Sequence, residues 1–192
     1  MDRKSLTRRL ALGLGTGALL VGSLAGPALA EDTVTQTITG SGLTASVADL
    51  TLTSAAYQNT AHDVTGTMTL TASDNTGTGA GWNVTIESSA FVWVGTANGG
   101  IDIPASKFAL TTAGAAVLVA GQAVAPALST GPQVPPTSPI GSLATPRKVL
   151  VATAAYGSGT YTQALGVTLT IPAMSRVGVY TGTLTTTITS AP

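Results

Sequence analysis

The amino-acid sequence predicts an all-β fold, an antiparallel β-sandwich forming a single domain behind a cleaved signal peptide. Three observations point to it. Thr, Val, Ile and Ala dominate the chain after residue 30, and these side chains suit a pleated surface better than a helix. About nine short runs alternate apolar and polar residues with a period of two. Turn residues separate the runs at the spacing typical of sandwiches, and no helical period interrupts them.

The leader comes first. Arg3, Lys4, Arg8 and Arg9 form a basic head, residues 10–25 an almost uncharged apolar run, and Ala28-Leu29-Ala30 a small-x-small cleavage site. This three-part pattern is that of a secretory signal peptide. A membrane anchor is the alternative, but Gly13, Gly15, Gly17 and Gly22 interrupt the run, which also falls short of about 20 apolar residues. Cleavage after Ala30 leaves 162 of the 192 residues, enough for one substantial core. In that remainder seven carboxylates stand against Lys107, Arg147, Lys148 and Arg176, a net charge of −3. So sparse and acidic a surface argues against nucleic acid, which needs clustered cations. It argues equally against an anionic membrane after signal cleavage. The chain has no cysteine, so disulfides, thiolate metal sites and lipid-modified cysteine anchors are all ruled out.

Taken in order, Val34, Gln36 and Ile38 alternate with threonines and predict a short first strand. From Leu43 to Thr53 the apolar phase slips from odd positions to even ones, which a bulge near Ala48 and Asp49 would explain. Val64, Gly66, Met68 and Leu70 mark the next strand. After it, Asp74-Asn75-Thr76-Gly77-Thr78-Gly79-Ala80-Gly81 is a glycine-rich turn, suited to backbone angles that side chains resist. The turn delivers Trp82, Val84 and Ile86 to one side of a strand, with Asn83, Thr85 and Glu87 on the other. Phe91 to Val94 is a short aromatic run, and residues 103–108 an irregular connection with apolar ends packing inward. Strands at 108–112 and 116–124 follow. Six prolines between residues 125 and 146 predict an extended surface loop. Strands at 147–153, 160–171 and 177–189 complete the chain. In the last of these Tyr180, Gly182, Leu184, Thr186 and Ile188 share a face.

The glycine turn before Trp82-Asn83-Val84 and the ending Tyr180-Thr181-Gly182-Thr183-Leu184-Thr185-Thr186-Thr187-Ile188 together resemble the WxL-domain surface proteins of Gram-positive bacteria. In that family one Trp-x-Leu motif follows a D-x-x-G-x-G-W turn, and a second closes the chain as Y-x-G-T-L-T-W-T-L. Here Val84 replaces the first leucine, and Thr186 stands where the second tryptophan is expected. The resemblance spans nearly the whole domain, from about Val34 onward. It implies a secreted protein held non-covalently at the cell wall and cell surface, with peptidoglycan or another wall polymer as partner. It also implies a binding site among Trp82, Asn83, Val84, Tyr180, Leu184 and Ile188. No sortase-type LPxTG signal follows Ile188, so a covalent wall linkage is not expected.

Other readings remain beside it. Trp82, in phase with Val84 and Ile86, suits core packing as well as contact with a sugar. Phe91 and Trp93 share a parity and form either a second aromatic patch or more core. If Trp82 is core, the surfaces to watch are the 74–81 turn and the proline-rich loop. Asp74 and Asn75 suit turn chemistry, because the loop lacks the spaced carboxylates of a calcium site. His62 is the only histidine and neighbours Asp63, but adjacent residues of a strand face opposite ways, and no G-x-S-x-G elbow supplies a nucleophile. A non-enzyme without cofactor or metal is therefore expected. The rival function is a subunit of an extracellular assembly that pairs an exposed edge strand with another surface protein.

Overall fold

The structure, a computed structural model, describes residues 35–124, 131–137 and 139–190. The signal-peptide expectation for residues 1–30 falls outside them. Residues 38–192 form one compact unit. Its strands are β1 (Leu43–Val47), β2 (His62–Asp74), β3 (Trp82–Ser88), β4 (Val92–Val94), β5 (Phe108–Gly121), β6 (Gly141–Ser142), β7 (Arg147–Ala152), β8 (Gly159–Ile171), β9 (Val179–Thr181) and β10 (Leu184–Ser190). One turn of 3₁₀ helix, Ala105–Lys107, is the sole helical element among the described residues.

The strands assemble by antiparallel pairing into a five-stranded sheet, β1-β2-β8-β5-β6, a three-stranded sheet, β10-β3-β7, and a two-stranded ribbon, β4-β9. The two larger sheets share one buried layer. Met68, Leu70 and Ala72 of β2 and Tyr161, Leu165 and Val167 of β8 cluster with Trp82, Val84 and Ile86 of β3 and Val149, Leu150 and Ala152 of β7. Alternate residues of β3 are buried along its whole length, as the period of two requires. Two antiparallel sheets closing on a common core are the arrangement of a β-sandwich.

Several sequence expectations are corrected. Residues 35–42 form no strand and are exposed, because Ile38 has no sheet to pack on. The phase slip after Val47 is the end of β1 rather than a bulge. Leu50 and Leu52 leave the strand and lie over Gly66, where a Cβ would sit 2.7 Å from the Leu52 side chain; Gly66 is the gap they fill. The two strands expected at 108–112 and 116–124 are one, β5, whose register on β8 shifts three times. The proline-rich segment is not simply a surface loop. Gln133 exchanges backbone hydrogen bonds of 2.8 and 2.9 Å with Val151 of β7, Pro132, Pro135 and Pro139 are buried, and β6 pairs with β5. Proline cannot continue a ladder, yet a residue next to a proline can cap one, and Gln133 covers an otherwise open edge. Finally, residues 177–189 do not form one strand. The chain leaves the ribbon at Gly182, which lies against the Phe91 ring, and joins the three-stranded sheet as β10.

Candidate functional site

The sandwich brings the two motif segments together. β10 runs beside β3 with Ile188 opposite Val84, Thr187 opposite Thr85, Thr186 opposite Ile86 and Ser190 opposite Trp82. Directly opposed residues share a face, so Thr186 and Ile188 stand on the core side with Trp82, Val84 and Ile86. Leu184 pairs with Ser88 at the far end of β10. Asn83 is half-buried on the opposite, outward side of β3. Tyr180 is not part of this pair of strands; it lies on the ribbon, opposite Trp93.

The local chemistry around Trp82 is closed. Asp74 Oδ1 accepts hydrogen bonds from Thr76 N at 2.9 Å and Thr76 Oγ1 at 2.7 Å, the side-chain turn expected of Asp in this setting. Gly77, Gly79 and Gly81 all take positive φ, and a Cβ on Gly81 would lie 2.6 Å from the Ala152 carbonyl. The Trp82 ring is fully buried, its Nε1 donates to Gly157 O at 3.0 Å, and its centroid lies 6.3 Å from that of Tyr161. The Tyr161 hydroxyl shares its proton between the Gln122 and Ser158 carbonyls, at 2.7 and 3.0 Å. Gln122 Oε1 in turn accepts from Gly157 N at 2.8 Å. Burial pushes the Tyr161 hydroxyl above its usual pKa, and the Asp74 carboxylate adds to the shift.

The opposite end is open. The Trp93 ring lies against Gly95, Gly100 and Gly178, where side chains would collide with it. Its backbone N donates to Asp102 Oδ1 at 2.8 Å, but its indole Nε1 is buried without a partner. An unpaired buried donor costs about 1–3 kcal/mol. Beside this ribbon, residues 54–58 and the 172–178 loop enclose a cavity of about 200 Å³, to which His62, Arg176 and Tyr180 also contribute. The two loops are tied by Met174 N donating to Gln58 O at 2.9 Å, and Met174 itself has φ +59°, a strained value for a side-chained residue. His62 Nε2 is a second buried nitrogen without a partner. Asp63 faces the other way, accepting from Thr170 Oγ1 at 2.6 Å, so His62 and Asp63 form no catalytic pair. Two adjoining clefts of about 480 and 540 Å³ run between the 48–53 segment and the ribbon, sharing Leu50, Leu52, Phe91, Thr181 and Gly182.

Over residues 33–192 the sequence matches the family described as WxL domain surface cell wall-binding. The chain belongs to this family. No curated protein and no solved structure matches it.

As a WxL domain the chain is a cell wall-binding surface module, and its marker residues differ in accessibility. Trp82 and Val84 are both fully buried in the core. Leu184 and Ile188 are half-buried against the same core, and so is Tyr180, whose hydroxyl donates to Arg176 O at 2.8 Å. Only Tyr180 of the motif residues borders the 200 Å³ cavity. Sequence reasoning passed over Arg176 and Tyr57. The signal available was composition: the only histidine, one of four cations after residue 30 and half of the aromatic residues, Tyr57, Phe91, Trp93 and Tyr180, fall at this end. Among the described residues no three His, Asp or Glu gather where a metal ion could sit, and no helix is long and apolar enough to cross a membrane.

Proposed function

We propose that this WxL domain is exported, loses residues 1–30, and attaches non-covalently to the Gram-positive cell wall by binding peptidoglycan, without catalysing a reaction. The carrying observation is the family match over residues 33–192, which takes in every strand of the sandwich. The domain that binds the wall is thus the whole folded unit. A non-catalytic role is supported by His62 and Asp63 facing opposite sides of β2. Trp82 serves in this reading as the residue that closes the sandwich, and the wall is met elsewhere.

Sedimentation with purified sacculi tests the reading. The protein is expected in the pellet at both low and high salt; protein left in the supernatant at both ends the wall-binding proposal. One observation favours a second reading, docking onto another surface protein. Val92, Val94 and Val179 line the outer face of the ribbon and are 52, 66 and 65% exposed. Sacculi stripped of protein separate the two, since a protein-docking module leaves them and a wall-binding module does not.

A further inference from the structure

We infer that the cavity between the 54–58 segment and the 172–178 loop is a carboxylate-binding site, and that Arg176 is its anion contact. The inference rests on the wall-binding reading for the source of the carboxylate, which the wall presents on its peptide stems and on uronic acid sugars. Three features of the cavity argue for it. Arg176 lines the space and makes no ion pair with any described residue, although the domain carries few cations and a net negative charge. The planar guanidinium matches a carboxylate with two parallel hydrogen bonds. Asp63 and Asp102 accept from Thr170 Oγ1 and from Trp93 N, and neither forms an ion pair with the guanidinium.

The walls suit the rest of such a ligand. Tyr57 is half-exposed at the cavity and offers a ring face to a sugar or a short aliphatic side chain. His62 adds an imidazole to the lining. The volume of about 200 Å³ exceeds that of a single water many times over. Met174, held at φ +59° and hydrogen-bonded to Gln58, fixes one loop on the other. Strain of this kind is maintained where surrounding structure defines a site. The larger clefts beneath Leu50 and Leu52 carry no unpaired cation and are lined chiefly by apolar side chains.

Amide chemical-shift titration of the purified full chain tests the inference with soluble probes: N-acetyl-D-alanyl-D-alanine, its C-terminal amide, and glucuronate. Saturable shifts in the 54–58 and 172–178 amides are expected with a carboxylate and not with the amide. Response to the dipeptide alone assigns the peptide stem, and response to glucuronate alone assigns the glycan. Arg176→Gln should weaken binding about tenfold or more, the worth of one charged hydrogen-bond partner. Lys148→Gln, which removes an equal charge from an exposed site on β7, should leave it unchanged. Because Arg176 is exposed, its replacement leaves the core intact, and the spectrum itself reports that. Absent shifts, shifts elsewhere, equal response to the amide, or equal loss in both variants each overturn the inference. Sedimentation with sacculi separates the two proposals. If the unaltered chain fails to sediment, the wall reading fails while the titration still decides the cavity. If the chain and its Arg176→Gln variant sediment equally, the wall reading stands and the inference falls.

Discussion

Two tryptophans sit at opposite ends of the sandwich and are treated in opposite ways. β2 alone spans 13 residues, about 40 Å at 3.3 Å per residue; Tyr161 of the Trp82 network lies opposite Ala72 near its last residue, and His62, its first, lines a cavity with Tyr180 of the ribbon. Trp82 is fully buried and its indole nitrogen is hydrogen-bonded. Trp93 is half-buried, wedged among glycines, with its nitrogen unpaired. The residue that marks the family is thus the one least able to touch a partner.

The largest expected effect follows directly. Trp82→Ala removes a fully enclosed ring and a hydrogen bond, and it should lower unfolding free energy by about 3–5 kcal/mol. Trp93→Ala should cost about 1–2 kcal/mol, because only part of its ring is covered. Urea unfolding followed by far-UV circular dichroism measures both. Equal losses would erase the distinction between a core end and an open end.

Most of the Trp82 end was legible in the sequence, for a physical reason. Turn glycines and a period of two are local signals, and Gly77, Gly79, Gly81, Val84 and Ile86 all behave as those signals require. The other end depends on pairings that no local pattern encodes. Trp93 meets Tyr180, and Gln58 meets Met174, across separations of 87 and 116 residues. The even spacing through Gly182 likewise hid a change of sheet, because alternation continues on both sides of the break while the partner strand changes. Leu50 and Leu52 misled in the same way: they keep strand periodicity after the strand has ended, and the vacancy they fill at Gly66 is visible only once β2 is folded. Among the described residues of 125–146 no central strand occurs, as the proline count requires, but that count said nothing of Gln133 capping the edge of β7.

A subtler substitution sharpens the contrast. Trp82→Phe leaves the Gly157 carbonyl without its donor and a gap beside Tyr161, a loss of about 1–3 kcal/mol. Trp93→Phe deletes a donor that has no partner, so the desolvation penalty it relieves offsets much of the lost contact. The expected change is within about 1 kcal/mol. A larger cost at Trp93 than at Trp82 would mean that its nitrogen finds a partner in solution.

Alkaline titration probes the closed end alone. The Tyr161 hydroxyl has a pKa raised by burial first and by Asp74 second, so the folded chain holds this proton more tightly than the unfolded one. Stability from this group is full below the unfolded value near 10 and falls as pH rises through the folded value. Tm measured from pH 8 to 11 should therefore decline above about pH 10. Tyr161→Phe should lose that component of the decline, and at neutral pH should cost about 1–2 kcal/mol through its hydroxyl's bonds to Gln122 and Ser158. A variant with an undiminished alkaline slope would place the titration elsewhere.

The smallest effect carries the sharpest distinction. Thr186 occupies the position of the family's second tryptophan, half-buried on the core side of β10 and opposite Ile86. If motif tryptophans serve the fold, Thr186→Trp should bury added apolar surface and raise stability by up to about 1 kcal/mol, leaving sedimentation with sacculi unchanged. If they serve contact, the same variant should bind sacculi more tightly with no gain in stability. The geometry of β3 and β10 favours the first outcome, because a side chain at 186 points towards Ile86 and the shared core. At the other end of the molecule Arg176 and Tyr57 already stand at the surface.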